Sequence, residues 1–143
     1  MDVINVIRPG EYTHDPRKHV IVFGGVKVAD YAEDVGIEMD FEPFRSVQKG
    51  VTGAVTYSEY ATRSGTFKIH ILQGSPLISI LEEFCWKDGK DAIVPMTYAD
   101  MTLEGAGYFA GSATILKAPS KTIGKDAKEV VFEITAPQLS KMK

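Results

Sequence analysis

The chain has 143 residues, of which 44% are hydrophobic and 24% charged, and this predicts one globular domain that buries a core of its own. Its formal net charge of −3 disfavours tight binding to nucleic acid, because phosphate-binding proteins normally carry a basic excess. The single cysteine, Cys85, cannot form an internal disulfide. The N-terminus lacks the pattern of a signal peptide, and no apolar run approaches the roughly 18 residues of a membrane span, so we expect a cytoplasmically made protein without membrane binding.

The first part of the chain predicts an arm followed by a β-hairpin. Residues 1–17 contain two proline turns and no sustained hydrophobic period, which indicates an extended N-terminal arm. Residues 18–23 are rich in β-branched side chains and predict a strand. Gly24 and Gly25 then predict a tight turn into a second short strand, because both central positions of such a turn need a positive φ.

Residues 36–42 alternate strictly between apolar and acidic side chains, which predicts a strand with one buried face. The apolar positions are Ile37, Met39 and Phe41, and the acidic positions are Glu38, Asp40 and Glu42. Three carboxylates in a row are typical of a solvated strand face. General acid–base catalysis needs carboxylates in differing environments, and the pattern indicates no such difference.

A polar, glycine-bearing segment follows at residues 43–53 and predicts a long loop or the tip of a hairpin. Residues 54–60 then predict a strand. After a turn at residues 62–65, residues 66–72 alternate again and predict a further strand with one apolar face.

One helix is predicted over residues 75–87. Ser75 is a favourable N-cap, and Pro76 occupies the first helical position, where its missing N–H costs nothing. Apolar residues then recur at the i, i+3, i+4, i+7 spacing of a buried helix face. The predicted core face of the helix consists of Leu77, Ile80, Leu81 and Phe84.

Three more strands are predicted at residues 92–99, 105–116 and 128–135, with Pro95 indicating an edge strand or a bulge. The predicted fold is therefore mainly β: an antiparallel β-barrel or sandwich with one flanking α-helix. We expect a single domain over residues 18–137 and a polar C-terminal tail over residues 138–143.

No motif for catalysis, cofactor binding or metal binding is present. Three histidines and one cysteine cannot form a common closed zinc site without carboxylates, and Cys85 on an apolar helix predicts a structural thiol. The glycines at 105, 107 and 111 lead into a predicted strand rather than a helix N-terminus, so they indicate close backbone packing or a bulge. The sequence predicts a protein that is not an enzyme, with no cofactor and no metal.

Residues 49–76 resemble the tail-tube proteins of contractile-tailed bacteriophages. In that family a glycine-flanked loop leads to a strand, a polar turn, a second strand and a helix. The turn corresponds here to Arg63-Ser64-Gly65 and the helix start to Leu72-Gln73-Gly74-Ser75-Pro76. The resemblance extends over roughly residues 18–137 and departs from the family at Ala61-Thr62, where other members often carry Asn or Asp.

The resemblance implies a structural subunit that forms hexameric rings, with a sheet from each subunit joining a continuous inner barrel. Stacked rings would form a tube inside a contractile sheath, and the genome would pass through the lumen during ejection. The implied partners are other copies of the chain and the sheath, baseplate and tail-terminator proteins, with only transient, non-specific passage of DNA. The implied location is the tail of the virion, assembled in the host cytoplasm. The type VI secretion tube protein is a more distant structural relative.

Two sites follow from this resemblance. Glu38, Asp40 and Glu42 are predicted to face the lumen, where negative charge would repel DNA; a solvated or sheath-facing sheet is the alternative. The segment 43–53 is predicted to stack one ring on the next, through Arg45, Ser46, Val47, Gln48, Lys49, Val51 and Thr52. The remaining alternatives are a tube protein of a secretion or phage-derived particle, a monomeric small-ligand-binding β-barrel with an apolar pocket, and an unrecognised enzyme.

Overall fold

A computed structural model describes residues 14–28, 31–32, 36–101 and 108–141. Within these ranges the chain forms nine strands, one α-helix and two short 3-10 turns, at Pro16–Lys18 and Gly89–Ala92. The strands and helix are β1 His19–Phe23, β2 Val26–Lys27, β3 Ile37–Phe41, β4 Arg45–Lys49, β5 Val55–Glu59, β6 Gly65–Leu72, α1 Pro76–Cys85, β7 Val94–Asp100, β8 Tyr108–Ile115 and β9 Glu129–Lys141. Most of the predicted N-terminal arm, residues 1–13, lies outside the described residues.

Seven of these strands form one antiparallel sheet in the order β2-β1-β7-β8-β9-β6-β3. The sheet is strongly curled. The rings of Phe67 on β6 and Tyr98 on β7 lie 6.1 Å apart, although three strand spacings, about 14 Å in a flat sheet, separate these strands. Phe41 on β3 and Phe109 on β8 are equally far apart in the order, and their rings lie 5.3 Å apart. The predicted mainly-β barrel or sandwich with one helix is confirmed.

The concave face of the curled sheet holds one apolar core. Strands β6 and β9 alternate between buried and outward-facing residues, so one side of each strand faces the interior. Phe67 pairs with Ile134 and Ile69 pairs with Phe132 across these strands, and all four side chains are fully buried. The predicted turn at Gly24 and Gly25 is also confirmed, with φ values of 59° and 84° between β1 and β2.

Helix α1 packs at the end of the barrel where β6 finishes. The Ser75 hydroxyl accepts a hydrogen bond from the Leu77 N–H, as expected of an N-cap. Leu77 and Leu81 are buried, and Phe84 meets Phe23 edge-on with ring centroids 5.2 Å apart. These contacts seal one end of the core.

The predicted core face of this helix is wrong at one position. Ile80 is 38% exposed, whereas Ile78 is only 7% exposed. The buried stripe runs through Ile78, Leu81 and the partly buried Cys85, and each residue advances about 100° around the helix. Compared with the predicted orientation, the helix is therefore rotated so that Ile78 rather than Ile80 faces the core. The i, i+3, i+4, i+7 spacing had placed Ile78 outside the buried face.

Two boundaries also need correction. Residues 45–49 form strand β4, so the segment predicted to be a long loop or the tip of a hairpin contains one arm of a hairpin and its turn. Strand β9 continues to Lys141, so most of the predicted C-terminal tail is paired with β8. Pro95 was predicted to mark an edge strand or a bulge, and it lies on β7 beyond the last pair with β1, Phe23–Met96, so that β8 is the one described strand beside it.

Candidate assembly surface

Strands β4 and β5 form a hairpin that extends from the β3–β6 pair, at the end of β6 opposite α1. Backbone bonds continue across its base: the Glu42 N–H donates to the Ser64 carbonyl at 3.2 Å, and the Tyr60 N–H donates to the Phe44 carbonyl at 3.0 Å. In the described chain the hairpin is a separate two-stranded sheet. It projects from the barrel as a ribbon.

The Arg63 side chain fixes the base of this ribbon. Its Nη1 donates to the Phe44 carbonyl at 3.0 Å and to the Tyr60 carbonyl at 3.4 Å. The guanidinium lies 4.5 Å over the Phe44 ring, and its Nη2 is 3.6 Å from Glu59. A planar fork of donors suits this arrangement better than an ammonium would. The hairpin thus contacts the barrel at its base, and the side chains along both of its strands are exposed.

The two faces of the hairpin differ in chemistry. Paired residues of an antiparallel ribbon share a face. One face carries the pairs Arg45–Glu59, Val47–Tyr57 and Lys49–Val55, and the other carries Ser46–Ser58 and Gln48–Thr56. All ten side chains are exposed, including Tyr57 at 68% and Val47 at 54%. An apolar strip of Val47, Val55 and Tyr57 therefore lies outside the core that the described residues form.

An exposed ion pair closes one end of this strip. Arg45 Nε donates to Glu59 Oε1 at 2.7 Å. The hydrogen bond from Arg45 lowers the pKa of Glu59 below its ordinary value, and the charges of Arg45 and Arg63 act in the same direction. Such an exposed pair fixes the register of the ribbon but adds little to stability.

Strand β3 is an edge of the seven-stranded sheet. Of the described strands only β6 pairs with it, so the backbone groups on its other side face outward. Met39 and Phe41 were predicted to be buried, but they are 41% and 37% exposed, because an edge strand has a neighbour on one side only. This edge adjoins the base of the hairpin, and together the hairpin and β3 form the candidate assembly surface.

The predicted acidic face is mixed in charge. Glu38 and Asp40 share the outer face of β3, opposite Lys68 and Thr66 of β6, while Glu42 lies just beyond the strand. Lys68 in turn pairs with Glu133 of β9. The carboxylates therefore alternate with a lysine rather than forming an uninterrupted acidic surface. Their assignment to a lumen stays a prediction.

His70 lies on the outward face of β6, where two carboxylates flank its ring. Its Nδ1 lies 2.9 Å from Glu129 Oε1 and its Nε2 lies 2.9 Å from Glu38 Oε2, and its side chain is 12% exposed. Burial opposes the imidazolium, but the hydrogen bonds to Glu38 and Glu129 outweigh it and raise the pKa of His70 above 6.5. The sequence carried a signal for this, since His70 is the next outward residue after Lys68, beside the acidic strand.

The remaining candidate groups are the Cys85 thiol and the residue types that bind metal ions. Cys85 is half-buried, its thiol lies 3.5 Å from the Leu81 carbonyl, and burial raises its pKa, which disfavours the reactive thiolate. Among residues 14–28, 31–32, 36–101 and 108–141, no three His, Cys, Asp or Glu side chains are arranged to hold a metal ion. In the same part of the chain, no helix has the length and apolar character to cross a membrane.

The outer face carries an open groove of about 530 Å³ beside this cluster. It runs between the segment 116–120 and the outward residues Lys68, Glu133 and Thr135. The groove is open to solvent and mixes charged side chains with apolar ones such as Leu116, Pro119 and Val131, whereas a small-ligand-binding barrel is expected to enclose its pocket. The described interior of the barrel is instead filled by large side chains such as Phe23, Phe67 and Phe132.

No protein-family model and no curated protein matches the sequence. Solved structures do match the fold. The tube-terminating cap of the anti-feeding prophage aligns with a TM-score of 0.57 at 12% identity, over 99% of this chain and 96% of the cap chain. The chain has the fold of a contractile-system tube terminator.

A second structure with the terminator fold is the sheath/tube terminator of the extracellular contractile injection system PVC, in its extended state. It aligns with a TM-score of 0.56 at 10% identity, over 93% of this chain and 99% of the terminator chain. The predicted resemblance to contractile-tail proteins is thus supported at the level of the fold. Both neighbours are named as terminators, however, rather than as the tube subunits that the sequence pattern resembles.

Proposed function

We propose that this chain is a structural subunit of a contractile tail or injection particle, that it forms a ring with copies of itself, and that the ring terminates the tube. The observation that carries the proposal is the terminator fold, which spans nearly all of this chain and nearly all of both neighbours. What this chain shares with those proteins is the architecture, so the proposed role is argued from the surfaces of the fold.

The hairpin supports ring-to-ring or ring-to-tube stacking. Its apolar strip of Val47, Val55 and Tyr57 lies outside the barrel, where exposure to water is unfavourable. An isolated two-stranded ribbon is at best marginally stable, so contacts with a second subunit would order it. We assign the stacking role to this strip and to the hairpin residues predicted from the sequence, between Arg45 and Thr52.

The free edge of β3 supports contacts within the ring. Among the described strands β3 pairs with β6 alone, and such an edge carrying Met39 and Phe41 is a site where another chain can add a strand. In a ring each subunit offers this edge to its neighbour in a head-to-tail manner, and rotation closes the set. Sheath, baseplate and tube proteins are the further partners that this placement implies.

A tube subunit is the second candidate. The resemblance of residues 49–76 to tail-tube proteins favours it, and a hairpin at one end of the barrel could equally support an unlimited stack of rings. The fold neighbours come from injection particles, which supports a phage-derived particle as well as a phage tail. For either particle, Glu38, Asp40 and Glu42 are proposed to line the channel, and reversing all three to Lys should slow ejection of the cargo or genome.

Negative-stain electron microscopy of the purified chain over a wide concentration range tests the proposal. A terminator should give single rings that do not elongate, whereas a tube subunit should give hollow tubes whose length grows with concentration. Uniform monomers at every concentration, also after addition of preformed tubes from the same particle, would contradict both.

The hairpin role has its own variants. Tyr57→Ala removes the largest side chain of the apolar strip and should abolish stacking onto tubes, while Ser58→Ala, on the opposite face, should stack like the wild type. Deletion of residues 46–52 should leave folded rings that no longer bind a tube. Normal binding by the deletion variant would overturn the role of the hairpin.

A further inference from the structure

Three adjacent strands place one histidine between two carboxylates on the outer face of the sheet. His70 lies on β6, Glu38 on β3 and Glu129 on β9. Each ring nitrogen of His70 lies 2.9 Å from a carboxylate oxygen. A neutral imidazole has one N–H and one lone pair, so it can donate to only one of these carboxylates. Two hydrogen bonds at once require the imidazolium.

The surroundings of the ring support the charged form. His70 is diagonal to both carboxylates in the strand register, since Glu38 pairs with Lys68 and Glu129 pairs with Leu72. The carboxylates occupy opposite nitrogens, so they hold the ring rather than converge on an ion. Among the described residues, the charged groups on the strands and across the groove beside this cluster are Glu38 and Asp40 from β3, Lys68 from β6, Glu129 and Glu133 from β9, and Lys117.

Deprotonation of the His70 ring would break its hydrogen bond to one of the two carboxylates. A nitrogen lone pair would then face a carboxylate oxygen at hydrogen-bond distance, which is repulsive. The consequence is largest at β3, because β3 is an edge strand and β6 is its one neighbour among the described strands. Strand β9 is also paired with β8 and is held from both sides.

We propose that His70 is a protonation-dependent clamp, which ties the edge strand β3 to β6 and β9 and makes that edge firmer in acid than in alkali. Its effect on pairing with a second copy along β3 rests on the proposed function. The direction follows from linkage: the pKa of His70 is raised in the folded chain. While Glu38 and Glu129 are ionised, the stabilisation is therefore complete below the unfolded value of 6.5, and it is lost as the pH rises through the folded value.

Nuclear magnetic resonance of the purified chain tests the clamp. The His70 ring should titrate above 6.5, and in Glu38→Gln and Glu129→Gln its pKa should fall toward 6.5. His19→Gln is the matched control, because His19 joins β1 to Tyr98 of β7 at 2.8 Å, away from β3. This variant should leave the His70 titration unchanged. A His70 pKa at or below 6.5 in the wild-type chain would overturn the proposal.

Amide hydrogen exchange on the same samples reports on β3 itself. The His70 N–H donates to the Gly36 carbonyl at 2.8 Å, and the Glu42 N–H donates to Ser64, so these two amides bracket the β3–β6 pair. Their protection factors, corrected for intrinsic exchange, should fall in alkali by about tenfold for each unit by which the pKa of His70 is raised. His70→Gln should remove this dependence, and a dependence that persists in His70→Gln would contradict the clamp.

Assembly is measured separately, by light scattering across roughly pH 5 to pH 9. If β3 pairs with a neighbour, ring formation should weaken in alkali for the wild type and respond less to pH in His70→Gln. A raised His70 pKa in a chain that never assembles would uphold the clamp and overturn the proposed function. If the His70 pKa is ordinary and rings form equally well at all pH values, the proposed function is upheld and the clamp is overturned.

Discussion

Strand β6 inside the barrel and the hairpin β4–β5 outside it both place apolar residues at alternate positions. Only the apolar side chains of β6 are buried. In β6 the alternate residues Phe67, Ile69 and Ile71 are fully buried. In the hairpin the apolar positions Val47, Val55 and Tyr57 alternate in the same way and remain exposed by 43% or more. Alternation thus identifies which side chains share a face, but the presence of a second layer decides whether that face is buried.

This difference separates the stability of the subunit from its assembly. A buried side chain of this size contributes about 1.5–3 kcal/mol, and the barrel gains that contribution within one chain. The hairpin gains it only when a partner covers the strip. We therefore expect the barrel to unfold as one cooperative unit and the hairpin to open locally at much lower free energy.

The largest expected difference is between two truncations of an aromatic side chain, one in the core of the barrel and one in the hairpin. Phe132→Ala should reduce the free energy of unfolding by about 3–5 kcal/mol, because Phe132 is fully buried in the core. Tyr57→Ala should change it by less than about 0.5 kcal/mol in the free subunit, because Tyr57 is 68% exposed. Urea unfolding of the monomeric chain measures both, and equal losses would show that the hairpin belongs to the folded core.

A smaller effect is expected from two glycines. A Cβ on Gly111 of β8 would collide with the backbone carbonyl of Gln138 on β9, near the irregular register between these strands. Gly111→Ala should therefore cost about 1–3 kcal/mol. Gly50→Ala, in the turn of the hairpin, meets no atom closer than 3.6 Å and should be nearly neutral. Thermal unfolding of the two variants compares them, and a neutral Gly111→Ala would mean that β8 and β9 can separate without cost.

Most of the barrel could be predicted from the sequence because its signals are local. The strict alternation of β6, the paired glycines after β1 and the Ser-Pro start of α1 each determine structure within a few residues. Ile78 was missed because the rotation of a helix depends on what it packs against. The length of β9 was missed because its polar end is held by pairing with β8, a contact distant in sequence.

The candidate site could be predicted only in part, for the same reason. The segment 43–53 was predicted to mediate stacking, which stays a prediction, and its polar composition concealed strand β4, which is defined by its partner β5. The clamp around His70 combines residues 32 and 59 positions apart along the chain, and no local pattern joins them. The alternating acidic residues of β3 were visible in the sequence. The position of Lys68 opposite Glu38 was not, because it depends on the register between β3 and β6.

The base of the hairpin should respond locally to a single substitution. Arg63→Met removes the donors to the Phe44 and Tyr60 carbonyls, and a net loss of about 1 kcal/mol for such contacts would increase opening several-fold. Exchange of the Tyr60 amide should accelerate while the amides of β9 stay protected. Arg17→Met, which breaks a surface pair with Asp15, is the control and should leave the hairpin unchanged. Acceleration throughout the barrel would show that the two regions are coupled.

The smallest expected effect is the response of each region to pH. The Arg45–Glu59 pair carries it in the hairpin, and His70 carries it in the barrel. In the hairpin, Arg45 lowers the pKa of Glu59, so the pair stabilises the folded ribbon above the unfolded pKa and is lost as the pH falls through the folded value. Arg45→Gln should raise the pKa of Glu59 toward 4.5, measured by titration of its carboxyl carbon, with no detectable change in global unfolding. The proposed clamp in the barrel is instead lost as the pH rises. Alkali should therefore loosen the edge of the barrel while the Arg45–Glu59 pair stays intact, whereas acid that protonates Glu59 also removes the carboxylates that the clamp needs. Loosening of the hairpin in alkali would mean that the ribbon and the edge strand respond as one unit.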